Sequence, residues 1–389
     1  MTHGPPLLYD KSAMQRLSKD EARWLVHFFI TLVTPVYVRE VLGNIAKKPR
    51  RGTPESAVAA LAARASDGLG NYLQMSFQAL IDGEVLGNPV EMKGHPVVAA
   101  ETFFDVEGKL GAVVDESDEE RALKRWSDQI FDDAERSQGA MLRKRAKSDK
   151  SLEQLVRIFS HSRKRDALYP ETLDQVVAAV DTFLDAPGYQ FRTLKFGLSQ
   201  FEQPAKSKKH VAKMWVKYRR PPIKHFLPYL HFCLRLALTL RYAVALNLIG
   251  QKPTNLIDLE YLFYLPFCRI FVSADKLHHE LAPLFLRSDQ RYFDIEKLRP
   301  GLREIASYYA ANEDELKKQG SMKFAAYPPL SLQTTIHEIY DQMVSGWRYD
   351  AANPHDEMTP EEKEQIFKEM KPQIEAMERA LARKRNREG

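Results

Sequence analysis

The stretch Pro266-Phe267-Cys268-Arg269-Ile270-Phe271-Val272-Ser273-Ala274-Asp275 decides how the chain is read. Ile270, Phe271 and Val272 form an apolar run that ends in a small polar residue and then in Asp275. Such a run suits a strand buried on both faces, as in a parallel sheet. Open α/β sheets bind ligands outside the carboxyl ends of their strands, where Asp275 would stand. Just upstream, Asp258-Leu259-Glu260-Tyr261 opens a helical stretch whose first carboxylate can reach the same crevice. Two carboxylates aimed at one spot repel unless a hard cation lies between them. The segment therefore suggests a magnesium or manganese site.

The start of the chain supplies a matching half. Pro5-Pro6-Leu7-Leu8-Tyr9-Asp10 is a short apolar run ending in Asp10. Ser18 is a good N-cap with Glu21 three residues on, so an amphipathic helix follows, with Leu25, Val26, Phe28 and Phe29 on its apolar side. Ile30-Thr31-Leu32-Val33 reads as a second strand. Thr34 as N-cap and Pro35 at the first helical position then start a helix that carries Glu40. The order is strand–Asp, helix, strand, helix–Glu and, much later, helix–Asp, strand–Asp.

This order resembles the PIN-like nuclease superfamily. The matching residues are Asp10 with Lys11-Ser12 after it, Glu40 in Val38-Arg39-Glu40-Val41-Leu42, Asp258 in Ile257-Asp258-Leu259-Glu260, and Asp275 in Val272-Ser273-Ala274-Asp275-Lys276. The resemblance implies an α/β protein: a three-layer core with a parallel sheet, its first half at residues 5–48 and its second at 223–290. Residues 49–222 would be a mainly helical insertion and 291–389 a helical C-terminal extension. It further implies a divalent-metal-dependent nuclease, RNA ahead of DNA as substrate. Asp10, Glu40, Asp258 and Asp275 would be catalytic and hold one or two Mg²⁺ or Mn²⁺ ions. Glu260 is a rival to Asp258 or an additional ligand. Ser273 would bind phosphate or a metal-bound water, and Lys276 and Lys11 would offset phosphate charge. By analogy such an extended core suits a cytoplasmic toxin or anti-phage defence effector, controlled by a regulatory protein partner. Each acid also has an ordinary structural role open to it. Asp275 can cap the helix that follows, Asp258 can complement a helix dipole, and Glu40 can be solvated.

Composition narrows the alternatives. At 389 residues the chain suggests two or three structural units, and its 44% hydrophobic content is enough for a real core. Cys233 and Cys268 lie in apolar contexts and read as buried thiols in a reducing compartment. No zinc spacing, Walker A motif, dinucleotide fingerprint or signal-peptide pattern is present, and His278-His279 flank the site or face solvent. Phe226 to Ile249 is long and apolar but contains His231, Arg235, Arg241 and Asn247. Each central Arg costs roughly 2.5–3.5 kcal/mol on membrane insertion. A helix buried in the protein, its arginines reaching a surface or partner, fits better, so no membrane contact is expected.

The intervening region reads as mostly helical. Lys47 to Gly52 is a basic hinge, followed by an Ala-rich helix to Ala65. Phe103 to Val114 suggests a hairpin around Gly108, and Asp115 to Arg145 suggests one long helix. Helices are expected at Leu152–Phe159 and Pro170–Leu184, with 204–224 a polar bridge. Beyond Asp275, helices are expected near His279–Leu286, over Asp294–Ala310 with Pro300-Gly301 breaking its start, over Ser331–Met343, and from Thr359 into a basic tail at Arg383-Lys384-Arg385.

Net charge is only +5, so any nucleic-acid contact must come from a local stripe. The richest cluster combines Lys213, Lys217, Arg219 and Arg220 with Trp215 and Tyr218. Cations there would draw phosphates and aromatic faces would stack on unpaired bases. The ordinary reading is a solvated helix face with Trp215 in the core. Smaller clusters are Arg143-Lys144-Arg145 and Arg163-Lys164-Arg165. Two rivals to the nuclease remain. A catalytically inactive PIN-like scaffold would bind protein or nucleic acid without metal. A helical nucleic-acid adaptor requires that residues 5–10 and 269–274 are not adjacent parallel strands.

Overall fold

The computed structural model describes residues 4–49, 52–66, 71–98, 102–106, 109–113, 116–148 and 169–353, and of 364–379 all but 366, 369, 373 and 377. Its strands are β1 (Pro6–Tyr9), β2 (Ile30–Val33), β3 (Asn71–Leu73), β4 (Thr102–Val106), β5 (Lys109–Val113), β6 (Ile270–Ser273) and β7 (Arg291–Asp294). Five of them make one sheet in the order β3-β2-β1-β6-β7, and every pairing in it is parallel. β1 and β6 are neighbours in the register Leu7↔Ile270, Leu8↔Phe271 and Tyr9↔Val272. The helical-adaptor reading fails on that pairing. The remaining strands, β4 and β5, form the expected hairpin.

Burial explains why the central strands are apolar throughout. Leu7, Leu8, Tyr9, Ile270, Phe271 and Val272 are all fully buried, because helices cover both faces of a parallel sheet. The helix Lys19–Phe28 begins with the expected capping box of Ser18 and Glu21, and Pro35–Leu42 begins with Thr34 as N-cap and Pro35 at its first position. These caps fix where each helix leaves the sheet.

The sheet is wider than the two half-cores expected from sequence. β3 comes from the region read as insertion, and β7 from the region read as C-terminal extension. The chain between 49 and 222 therefore contributes an edge of the core as well as helices. The long helix expected over Asp115–Arg145 is broken into Asp118–Ser127 and Asp133–Ser148. Gln129 in the break adopts a left-handed backbone (φ 60°), which ends the first helix. Asp132 and Glu135 then cap the second by exchanging backbone hydrogen bonds of 2.7 and 3.0 Å. The supposed polar bridge is also helical, at Ala205–Lys217 and Ile223–Phe226. Pro300 lies inside a continuous helix, Ile295–Ala311, rather than breaking its start. The expectations for Leu152–Phe159, Arg163-Lys164-Arg165, Thr359 and Arg383-Lys384-Arg385 lie outside the described residues.

Pro228–Ala245 is the buried helix expected from its composition, and no helix among the described residues is long and apolar enough to cross a membrane. Arg235 reaches out of it to Asp181 at 2.8 Å and lies over the Phe285 ring. Its first free N–H groups, on Tyr229 and Leu230, donate to the two oxygens of buried Glu84 at 2.8 Å each.

A candidate carboxylate centre at the sheet switch point

From β1 the chain steps outward to β2 and β3 on one side, whereas β6 and β7 lie on the other. The order reverses between β1 and β6, and an open parallel sheet leaves a crevice beyond the carboxyl ends of strands at such a point. Asp10 directly follows β1, and Asp275 follows β6 by two residues. Both acids therefore flank the switch point.

Asp10 is buried and held by a fixed network. Its Oδ1 accepts from the Ala13 amide at 2.8 Å and from Ser12 Oγ at 2.9 Å, while Oδ2 accepts from Ser12 Oγ at 2.7 Å and Ser273 Oγ at 2.9 Å. His278, fully buried, stands 3.3 Å from Oδ2. Burial by itself would raise the Asp10 pKa. Hydrogen bonding and charge from His278, with the Ser12 and Ala13 donors, more than reverse this and lower it. His278 is raised to about 9: burial disfavours its charge, but the Asp10 carboxylate and then Asp258 favour it more strongly. The geometry agrees with an imidazolium. Nδ1 lies 2.8 Å from Ser273 Oγ, whose own proton goes to Asp10 while the Asp275 amide donates to it. Nε2 lies 2.7 Å from the Asp258 carbonyl, which can only accept.

Asp258 lies in the first turn of the helix Asn255–Leu262. No hydrogen bond among the described residues reaches its carboxyl group. Its pKa is pushed up to about 8, chiefly by burial and then by the charges of Asp275, Glu40 and Asp10, against the opposing pull of His278. Asp258 thus feels the charges of the other three acids. Asp275 also caps its own short helix, accepting from the Leu277 amide at 2.7 Å. Glu40 is less available. Its two oxygens accept from Lys11 Nζ at 2.7 Å and from Tyr261 Oη at 2.8 Å.

Several expected roles change. Glu260 ion-pairs with Arg39; two helical residues span about 200°, so it points away from Asp258 and is no ligand rival. Ser273 is fully buried and its hydroxyl is used up internally, so it positions Asp10 rather than binding phosphate. Lys11 neutralises Glu40 instead of facing a substrate. Lys276 remains exposed, 3.3 Å from Glu280. Trp215 is buried, stacks on Phe191 and donates its indole N–H to the Pro221 carbonyl at 2.8 Å, so it offers no free face for a base. Lys213, Lys217, Arg219 and Arg220 are exposed on or just after that helix, and Tyr218 is the exposed aromatic beside them. No hydrogen bond or ion pair among the described residues links this basic face to the carboxylate centre.

Ser12 and Tyr261 were not assigned roles from sequence, and His278, read as flanking the site or facing solvent, is fully buried in it. Ser12 stands in the Asp10-Lys11-Ser12 turn, and His278 about one helical turn after Asp275. A hydroxyl and an imidazole that close to candidate acids were the available signals.

Among the described residues no three His, Cys, Asp or Glu side chains already stand in a metal-coordinating group. The chemistry of the set nonetheless fits a hard cation. Asp258 carries a carboxyl group that no hydrogen bond among the described residues reaches, and one Asp275 oxygen is unused by its cap. No family model, curated protein or solved structure matches the chain.

Proposed function

We propose that the protein is a divalent-metal-dependent nuclease with a PIN-like core, hydrolysing phosphodiester bonds in RNA in preference to DNA. One observation carries this reading: Asp10 and Asp275 leave adjacent parallel strands at the switch point, and Asp258, whose pKa is raised to about 8 chiefly by burial, also feels their charges. The strand order β3-β2-β1-β6-β7 supports the same reading.

Asp258 and Asp275 would hold Mg²⁺ or Mn²⁺, with Asp10 completing the anionic wall. Bound there, such an ion supplies Lewis acidity and a more acidic water. The protein's own groups do the rest. His278, Ser12 and Ser273 lock Asp10 in its ionised form and in one orientation. Ser273 also accepts from the Asp275 amide, so the two acids are positioned through a single hydroxyl. Lys276, largely exposed beside Asp275, can approach a phosphate.

The test is cleavage of labelled RNA and DNA with Mn²⁺ by the wild type, Asp10→Ala and Asp275→Ala. We expect wild-type cleavage and a loss of at least about 100-fold in each variant, the scale of a removed electrostatic stabiliser. Equal cleavage by all three rejects the assignment. A second reading, a non-catalytic module on the same fold, is favoured by the saturation of Asp10 and by the Lys11–Glu40 pair. It predicts no cleavage by any of them.

A further inference from the structure

Positive charge is concentrated in one part of this chain. Residues 203–257 contain eleven Lys or Arg and no Asp or Glu. The whole chain carries +5, so everything outside that stretch sums to −6. Such asymmetry marks a local surface for an anionic partner.

The helix Ala205–Lys217 sets the cations in a line. At 3.6 residues per turn, Lys206, Lys209, Lys213 and Lys217 fall within about 80° of arc and span about 16 Å along the axis. Val211 and Trp215 lie on the opposite side and are buried. Arg219 and Arg220 follow at the C-terminal end, where their amides donate to the Val216 and Trp215 carbonyls at 3.0 and 2.9 Å and pin the turn. All six residues are exposed, and no side chain among them forms an ion pair or hydrogen bond with the described residues. Cations three and four residues apart on a helix repel, and one in the first turn opposes the macrodipole. Glu202, just before the helix, pairs with none of them. A bound polyanion relieves that repulsion.

The partner must carry repeated negative charge over at least about 16 Å. A nucleic-acid strand does so, with one phosphate per about 3.4 Å of axis, and guanidinium groups pair with phosphates through two hydrogen bonds. A lipid surface would need apolar anchors on the face that bears the cations. The exposed ring of Phe191 stacks on Trp215 and so lies away from the lysines, which leaves Val216 and Tyr218 as the exposed apolar side chains beside six cations.

We propose that this face is a second nucleic-acid site, separate from the carboxylate centre, which holds the phosphate backbone without reading base sequence. It goes beyond the nuclease reading, because binding here needs neither metal nor cleavage.

Binding is measured by fluorescence anisotropy on the whole chain in EDTA, with two short labelled RNAs of unrelated sequence over a range of salt. Both bind alike, and the logarithm of affinity falls with that of salt at a slope of about −4, six contacts at about 0.7 each. The triple variant Lys209→Gln, Lys213→Gln, Lys217→Gln binds at least about tenfold more weakly at low salt, and its slope is shallower by about 2. Its unfolding midpoint stays close to that of the wild type, because Gln suits an exposed helix as well as Lys. No binding, a strong preference for one sequence, or an unchanged slope in the variant overturns the site. Displacement of RNA by an equal charge of polyglutamate overturns it in favour of an acidic protein, and co-sedimentation with phosphatidylserine vesicles without RNA binding overturns it in favour of a membrane surface. Binding in EDTA by a protein that never cleaves RNA with Mn²⁺ supports this site and rejects the nuclease. Cleavage with Mn²⁺ but no binding in EDTA rejects this site and leaves the nuclease.

Discussion

His278 is the residue on which the carboxylate centre is assembled. It is a buried cation touching Asp10, Ser273 and the Asp258 backbone, and so takes one contact from each of the segments that meet there. Removing one partner of a buried ion pair leaves the other charge uncompensated and costs about 3–5 kcal/mol. His278→Phe is accordingly expected to lower unfolding free energy in urea by about that amount. A loss below about 1 kcal/mol would mean that Asp10 is held by the serines alone. Asp10 and Asp275 were legible from sequence because each ends an apolar strand. His278 was not, because a histidine beside a second histidine gives no hint of which one turns inward.

Glu84 couples an element to pH. It caps Pro228–Ala245 from inside the core, and burial pushes its pKa up to about 7 despite the Leu230 and Tyr229 amide donors. An unfolded Glu titrates near about 4.3. Between about pH 4.3 and 7 the folded chain thus holds a proton that the unfolded chain has lost, and stability falls as pH rises through that window. Glu84→Gln cannot titrate, so the difference in unfolding free energy between wild type and variant should slope across that window and flatten above it. Parallel profiles would show that the carboxyl group is ionised throughout.

Backbone strain is stored at the end of Ala205–Lys217, where Arg219 and Arg220 adopt φ values of 64° and 58°. The left-handed region costs a non-glycine residue about 1–2 kcal/mol. Arg220→Gly should raise the urea midpoint, by about 1 kcal/mol in stability. A lowered midpoint would mean that contacts of the guanidinium outweigh the strain. The capped helices Lys19–Phe28 and Pro35–Leu42 were legible because their caps are local signals. The break before Asp133 was not, although Asp132 and Glu135 carry the capping pattern, because the helical period continues across it.

Across the whole molecule, the inner strands β1, β2 and β6 could be read from sequence and the outer two could not. β1 and β6 are continuous apolar runs, the form that burial on both faces imposes. β3 is only three residues, Asn71-Tyr72-Leu73, and β7 is Arg291-Tyr292-Phe293-Asp294; both lie at the sheet's edges, where one side is open and polar residues are tolerated. Without them the strand order, and hence the switch point, could not be drawn. The acids were visible, but their partners were not: Lys11 with Glu40 and Arg39 with Glu260 are products of how the helices Lys11–Arg16 and Asn255–Leu262 each face Pro35–Leu42. Those pairings separate the acids that remain open to a cation from those already neutralised.

In the proposed function Asp258 and Asp275 gather a hard cation beyond the carboxyl ends of β1 and β6, and Mn²⁺ binding reads this out. Calorimetric titration of Mn²⁺ into the wild type should show saturable binding that disappears in Asp275→Asn, while the variant's circular dichroism and unfolding midpoint stay close to those of the wild type. Equal Mn²⁺ binding by the two proteins, or none by the wild type, would contradict the account.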